Sequence, residues 1–289
     1  MKVCHTIAEI RAEVACWRAA DRTVALVPTM GYLHDGHVAL MRQGRALADR
    51  VVVWIFVNPT QFERTEDLAA YPRDMDHDFA VLRREAVDAV FTPEVSEIYP
   101  AGAETVVETT RLAGILMGKV RPGHFRGVTT VVTKFFNIIQ PDVALFGEKD
   151  YQQLQVIRRM VRDLHMPIRI IGVPTVREAD GLAMSSRNVR LTPEDREAAV
   201  ILWEALQRGE ALAAEGASVE ELRRGITAVI ASERRAELKG IDIARAETLE
   251  EISGALDGPT AIMLSVRFGD VLLTDQRVVG PEISRRSGP

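Results

Sequence analysis

The sequence predicts an α/β fold, a Rossmann-like doubly wound parallel sheet with a smaller C-terminal α+β domain. Three observations predict it. Apolar, β-branched runs alternate with helical patterns over the first 175 residues or so, the texture of parallel strands joined by helices. Several runs are apolar at consecutive rather than alternating positions, as required when helices cover both faces of a sheet. Beyond residue 190 two long helical patterns are followed by short strand-like runs. These readings give a sheet domain over 1–176 and a smaller lid domain over 177–289.

In order, the expected strands are "TVALVPT" (23–29), "RVVVWIFVN" (50–58), "AVDAVFTP" (86–93), "PDVALFGE" (141–148) and "IRIIGVPTV" (168–176). Helical patterns lie between them, in "VALMRQGRALADR", "DMDHDFAVLRREA" and "KDYQQLQVIRRMVRDL". A strong start signal opens "TPEDREAAVILWEALQRGEALAAEG", with Thr192 as N-cap and Pro193 at the first helical position. The helix "SVEELRRGITAVIASERRAEL" follows, then the strands "IDIARAE", "AIMLSVRF" and "VLLTDQRVV". The tail "PEISRRSGP" is expected to fray.

Composition excludes several classes. The balance of 36 basic against 41 acidic residues gives a net charge of −5, which argues against nucleic acid or an anionic membrane as partner. Cys4 and Cys16 make neither a disulfide framework nor a metal spacing. The charged opening "MKVCHTIAEIRAEVACWRAA" lacks a signal-peptide core, and no apolar run approaches the roughly 20 residues of a membrane span. The expectation is a cytoplasmic protein.

Candidate sites fall after the expected strands, where ligands bind in such sheets. The first turn, "PTMGYLHDGHVAL", brings His34 and His37 between Gly31 and Gly36. A helix starting near Asp35–His37 would aim N–H groups and partial positive charge at an anion above it, and imidazoles there donate hydrogen bonds while adding little permanent charge. A pair of surface histidines at a helix cap is the plain alternative, and no third ligand nearby supports zinc. "FVNPTQF" places the amides of Asn58 and Gln61 after the second of these strands, or caps a loop. "FGEKDYQQL" offers Lys149 to polyphosphate, Asp150 as a helix cap and Gln153 one turn later. "RPGHFRGV" adds His124 and Arg126, a phosphate contact or a solvated turn. "DGLAMSSRN" gathers Ser185, Ser186 and Arg187, whose hydroxyls and guanidinium match phosphate oxygens.

An HxGH turn after the first of these strands and a Ser-rich cationic loop after the fifth resemble the HIGH-motif nucleotidyltransferase superfamily. "PTMGYLHDGH", "FVNPTQF", "YPRD", "RPGHFRGV", "FGEKDYQQL" and "DGLAMSSRN", in that order, resemble the pantothenate synthetase (pantoate–β-alanine ligase) family over about residues 5 to 275. The resemblance implies ATP-dependent condensation of (R)-pantoate with β-alanine, through an enzyme-bound pantoyl adenylate, to pantothenate, AMP and pyrophosphate. It places the chain in pantothenate (vitamin B5) and coenzyme A biosynthesis, as a homodimer using ATP and Mg²⁺.

By that resemblance the ATP site comprises Met30, Gly31, Tyr32, Leu33, His34, Asp35, Gly36, His37, Gly147, Glu148, Lys149, Asp150, Val176, Met184, Ser185, Ser186 and Arg187. His37 takes the general acid/base position, with His34, Lys149 and Arg187 acting beside it on phosphate. Asn58, Gln61, Gln153 and His124 fall to the substrate, and Asp78 to Mg²⁺. Two departures stand out. His77 interrupts the carboxylates of "YPRDMDHDF", and Arg187 stands where the superfamily's signature lysine is expected. A nucleotidylyltransferase that builds a dinucleotide and a nucleotide-binding regulator without catalysis remain the alternatives.

Overall fold

Consecutive apolar residues on the central strands determine the architecture. In the computed structural model, which describes residues 1–280, six strands form one sheet. They are β1 (Lys2–Cys4), β2 (Val24–Thr29), β3 (Arg50–Ile55), β4 (Ala89–Phe91), β5 (Val143–Gly147) and β6 (Arg169–Val173). Their order is β1-β4-β3-β2-β5-β6, and every pairing is parallel. Alternate residues of one strand enter opposite cores. Leu26, Val52, Trp54, Phe91 and Ala144 pack with Val131 and Phe135 of helix His124–Ile139 and with Leu154 and Ile157 of helix Tyr151–Asp163. Ala25, Val27, Val53, Val90 and Leu145 pack on the other face with Val38 and Met41 of helix Asp35–Leu47 and Leu82 of helix Met75–Arg84. Both faces are therefore dry, and both strand parities must be apolar.

The chain runs from β2 to β3 to β4, then returns to lay β5 on the other side of β2. The order reverses between β2 and β5, the position where doubly wound sheets bind ligands beyond the carboxyl ends of their strands.

The chain divides into two compact units, residues 1–148 with 152–174, and residues 149–151 with 175 onward. In the second, β7 (Glu237–Arg245), β8 (Thr260–Phe268) and β9 (Val271–Val279) form an antiparallel sheet. Helices Ile201–Ala214 and Val219–Ala231 contribute Leu202, Leu206, Leu222 and Ile226 to its core. The tail "PEISRRSGP" lies outside the described residues. Among the described residues no helix is long and apolar enough to cross a membrane.

Three elements differ from the sequence expectation. The strand β1 at the sheet edge pairs with β4 through only three residues, too short to register as a pattern. The pattern over 192–216 is two helices, Pro193–Ala198 and Ile201–Ala214. At the break the amides of Val200, Leu202 and Trp203 bond to carbonyls three residues back, which tightens the turn. "RPGHFRGV" runs into the helix His124–Ile139, whose run of Val, Thr and Phe is a weak helix former by itself; burial of eleven of its sixteen residues overrides that preference.

Phe135 is fully buried, its ring centroid 3.6 Å from that of Trp54 and 5.6 Å from that of Phe91. Phe135→Ala should cost about 3–5 kcal/mol, read as a lowered urea midpoint with an unchanged slope.

Candidate active site

The turn after β2 is built from strained backbone. Gly31 and Tyr32 both have left-handed φ, +84° and +55°, and Tyr32 carries a side chain that disfavours this region. The side chain of Asp78, from helix Met75–Arg84, holds them there. Its Oδ2 accepts from the Tyr32 N–H at 2.9 Å and its Oδ1 from the Leu33 N–H at 2.7 Å. Its neighbour His77 donates from Nε2 to the Leu33 carbonyl at 3.1 Å. On the strand side Thr29 Oγ1 accepts from the Gly31 N–H and donates to the Trp54 carbonyl, tying the turn to β3. A Cβ on Gly31 would stand 2.9 Å from Asp78 Oδ2, so glycine is required by space as well as by φ.

Asp78 is only 1% exposed, and burial pushes its carboxyl above the ordinary range against the opposing pull of the Leu33 and Tyr32 N–H bonds.

The helix that follows starts at Asp35, with His34 as N-cap. The sequence suggests that its first donors face outward; instead the imidazoles turn back on them. His34 Nδ1 accepts from the Gly36 N–H at 3.1 Å, and His37 Nδ1 accepts from the His34 N–H at 3.2 Å. This is a capping box made of imidazoles in place of Ser and Glu. The two ring centroids lie 4.1 Å apart.

Beyond β3, the turn Pro59–Gln61 carries the amides. Asn58, 1% exposed, donates to Gln61 Oε1 at 3.0 Å and to the Gly127 carbonyl at 3.1 Å. Its Oδ1 accepts from the Tyr99 hydroxyl at 2.9 Å and the Thr60 hydroxyl at 3.0 Å. Every hydrogen-bonding group of this amide thus has a protein partner. Gln61 is fixed from behind, its carbonyl accepting from His124 Nδ1 at 2.9 Å and Arg121 at 3.3 Å, and its Nε2 reaches Met30 Sδ at 3.3 Å. The amide therefore meets the first turn. Gln153 is half-buried, while its neighbour Gln152 is buried and holds the Met117 N–H and the Leu112 and Ile115 carbonyls. Gly147 ends β5, the strand beside β2, and Glu148 follows it.

In the second unit, Lys149 Nζ lies 3.4 Å from Thr274 Oγ1 of β9 and 3.9 Å from Asp150 Oδ1. Residues 176–184 form a tight hairpin, closed by the Met184 N–H to the Val176 carbonyl at 3.0 Å and the Arg177–Ala183 bridge. Arg177 makes a bidentate ion pair with the buried Asp275, at 2.6 and 3.0 Å, and its guanidinium lies 4.1 Å from the Trp203 ring centroid. Arg277 stands 5.1 Å from that ring. Gly181, at φ +97°, lies so close to the indole that no Cβ fits. Arg196 pairs with Glu178 and Asp180, and Asn188 donates to Glu178 and the Ala183 carbonyl. The loop Met184–Arg187 is thus strung between anchored ends. Within it Ser185 Oγ accepts from the Arg187 N–H at 3.2 Å.

The sequence matches the model of the pantoate-beta-alanine ligase family over residues 2–278. The chain belongs to that family. It is 50% identical to a pantothenate synthetase of Bartonella bacilliformis over 96% of this chain and 100% of that one. It is also 50% identical to a pantothenate synthetase of Agrobacterium fabrum over 98% and 97%. A solved pantothenate synthetase of Thermus thermophilus superposes with a TM-score of 0.92 at 44% identity, covering 97% of this chain and 100% of that one. A pantoate-beta-alanine ligase of Francisella tularensis, solved with beta-gamma ATP and beta-alanine, gives 0.80 at 34% identity over 96% and 97%. The pantoate–β-alanine ligases are ATP-dependent ligases, and this chain is one of them.

For this pantoate–β-alanine ligase the structure brings Met30–His37, Asn58, Gln61 and His124 together at the carboxyl ends of β2 and β3. Two expected ligand contacts are already engaged by protein partners. Asn58, assigned to pantoate by resemblance, has its hydrogen-bonding groups engaged in holding Gln61 and the turn. Asp78, assigned to Mg²⁺, is buried with one backbone N–H on each oxygen, which does not fit a cation ligand, and among the described residues no three His, Cys, Asp or Glu side chains gather around one point. The sequence reading assigned no task to Thr29, Tyr99, Gly127, Arg177, Trp203 or Asp275. Thr29 and Gly127 lie inside the quoted motifs "PTMGYLHDGH" and "RPGHFRGV" and Arg177 lies three residues before "DGLAMSSRN", whereas Tyr99, Trp203 and Asp275 are far in sequence from what they hold.

Two outcomes follow. Asp78→Asn keeps one acceptor but turns an amide N–H toward the other backbone donor, so it should destabilise by about 1–3 kcal/mol, read by denaturant unfolding. A Cβ on Gly127 would lie 2.5 Å from the Thr60 carbonyl oxygen. Gly127→Ala should therefore displace Gln61 and raise KM for the acid substrate more than about tenfold, while KM for ATP changes less.

Proposed function

We propose that the chain condenses (R)-pantoate with β-alanine at the expense of ATP, releasing AMP and pyrophosphate through an enzyme-bound pantoyl adenylate. The observation that carries this reading is the meeting of Gln61 and Met30, 3.3 Å apart, where the turn 30–37 and the amide turn leave adjacent strands beside the reversal of strand order. A nucleotide loop and an amide suited to hydroxyls and carboxylates share one place, as an acid that attacks ATP requires.

The chemistry follows from the groups. The pantoate carboxylate attacks the α-phosphorus, and negative charge grows on the α-phosphate oxygens and the leaving pyrophosphate. In this reading His34 and His37 of the turn Met30–His37, Lys149 after β5 and Arg187 of the loop Met184–Arg187 meet that charge. Gly147, Glu148, Asp150 and Val176 contact the nucleotide. Gln61 and Gln153 bind pantoate hydroxyls and carboxylate, a pairing that rejects analogues lacking a hydroxyl, and Asn58 and His124 keep Gln61 aimed. Burial of the adenylate protects the mixed anhydride from water. Mg²⁺ is held in this reading by ATP and water, the usual mode for this ion. The accompanying assignment is a cytoplasmic homodimer with a Rossmann-like sheet domain and a C-terminal lid, and sedimentation at twice the chain mass checks the dimer.

The alternative nucleotidylyltransferase reading needs fixed cations for a second phosphate-bearing substrate, and the amides at Gln61 and Asn58 speak against it. Pantoate-dependent exchange of pyrophosphate into ATP without β-alanine is expected, with AMP release requiring both substrates. Exchange independent of pantoate would remove the proposal. His37→Ala should slow the exchange by more than about tenfold.

A further inference from the structure

We infer that Trp203 is a positioning residue for the serine–arginine loop Met184–Arg187. The indole seats the hairpin 176–184 that carries the loop, and through the hairpin it sets how tightly nucleotide is held. The inference rests on the adenylation reading above, in which Arg187 meets phosphate charge, and gives a task to a residue outside that machinery.

One helix and one strand build the seat. Trp203 and Glu210 lie seven residues apart on helix Ile201–Ala214 and so share a face. Asp275 and Arg277 alternate along β9 and share a face of that strand. The hairpin enters this cluster through Arg177, whose guanidinium lies 4.1 Å from the indole centroid, with that of Arg277 at 5.1 Å. Two like charges can stay beside one ring because each has its own carboxylate. Asp275 holds Arg177 at 2.6 and 3.0 Å, and Glu210 holds Arg277 at 2.6 Å. The tip of the hairpin rests on the same ring. Arg177 donates to the Gly181 carbonyl at 3.1 Å, and a Cβ on Gly181 would run into Cδ1, Cγ and Nε1 of Trp203. The indole thus touches the hairpin at one arm and at its turn.

Both ends of the loop are fastened to this hairpin. The Met184 N–H bonds to the Val176 carbonyl at 3.0 Å, and the Asn188 amide donates to Glu178 and to the Ala183 carbonyl, each at 3.1 Å. Inside the loop the bonds are local: Ser185 accepts the Arg187 N–H on Oγ and the Asn188 N–H on its carbonyl. A segment built this way takes its position from what its ends are tied to. A wandering phosphate loop must be ordered when the ligand arrives, at a cost in affinity, whereas a seated one is ordered beforehand. Trp203 suits the task because it is half-buried and stands apart from the apolar core of Leu202, Leu206, Leu222 and Ile226. Its loss leaves that core filled. An aliphatic side chain would occupy the volume without offering Arg177 a π-face.

Pantoate-dependent pyrophosphate exchange with the full chain reads nucleotide and acid separately. Trp203→Ala should raise KM for ATP more than about fivefold while KM for pantoate stays within about twofold, because the amide of Gln61 belongs to the sheet unit. Trp203→Tyr keeps a ring face for Arg177 and should bring KM for ATP back to within about twofold of wild type. Gly181→Ala drives a Cβ into the indole and should raise KM for ATP by itself. That effect should shrink in the Trp203→Ala background, where the ring is gone. An unchanged KM for ATP in Trp203→Ala or Gly181→Ala overturns the inference. So does an equal rise in both KM values, an equal loss in Trp203→Tyr and Trp203→Ala, or full additivity in the double variant. Should Trp203→Ala fail to fold, as read by urea unfolding, Gly181→Ala alone decides by the same two KM values. Any of these failures with wild-type exchange intact leaves the adenylation reading standing, and absence of pantoate-dependent exchange in the wild type removes that reading instead.

Discussion

Two hydrogen bonds accepted by one buried carboxylate hold the turn at the end of the central strand in shape. The turn after the central strand β2 holds two consecutive left-handed residues, Gly31 and Tyr32, and Asp78 is the group that keeps Tyr32 and Leu33 where the chain would not stay unaided. Everything beyond inherits that geometry: the start of helix Asp35–Leu47, the imidazoles folded back on its first turn, and the contact of Met30 with Gln61. A carboxylate so engaged is a fixture of the backbone. The carboxylates after "YPR" made it a candidate metal ligand by resemblance, and its hydrogen bonds give it a task in the backbone.

The amide pair shows the same division of labour. Asn58 and Gln61 lie three residues apart and read alike in sequence, as neutral groups at the end of a buried strand. Folding separates them. Asn58 sits where the turn, helix His124–Ile139 and Tyr99 close around it, and its hydrogen bonds go inward. Gln61 keeps its Nε2 on the side of Met30. A buried polar group with all its partners in place gives rigidity, and here the rigidity is applied to the neighbouring side chain.

Much of this was legible in the sequence, for identifiable reasons. The β2, β3 and β5 runs announced themselves because strands covered on both faces cannot alternate, and the motif residues followed because loops at their carboxyl ends carry the chemistry. Thr192 and Pro193 marked a helix start through local hydrogen bonding alone, and Thr192 does accept from the Asp195 N–H. What failed to show depends on contacts distant in sequence. β1 is a strand only because β4 lies beside it, and helix His124–Ile139 is a helix because its β-branched residues are buried. That the imidazoles cap their own helix is a matter of rotamer, on which a sequence is silent.

The hairpin 176–184 has a mechanical consequence. Its ion pair to Asp275, its stacking on Trp203 and its links to Arg196 all lead into the C-terminal unit. The serine–arginine loop is cargo of that unit, although it lies close to the junction in sequence. Anyone exchanging C-terminal halves between homologous ligases should cut ahead of Thr175, because a crossover placed after Arg187 would graft one parent's loop onto the other parent's anchors.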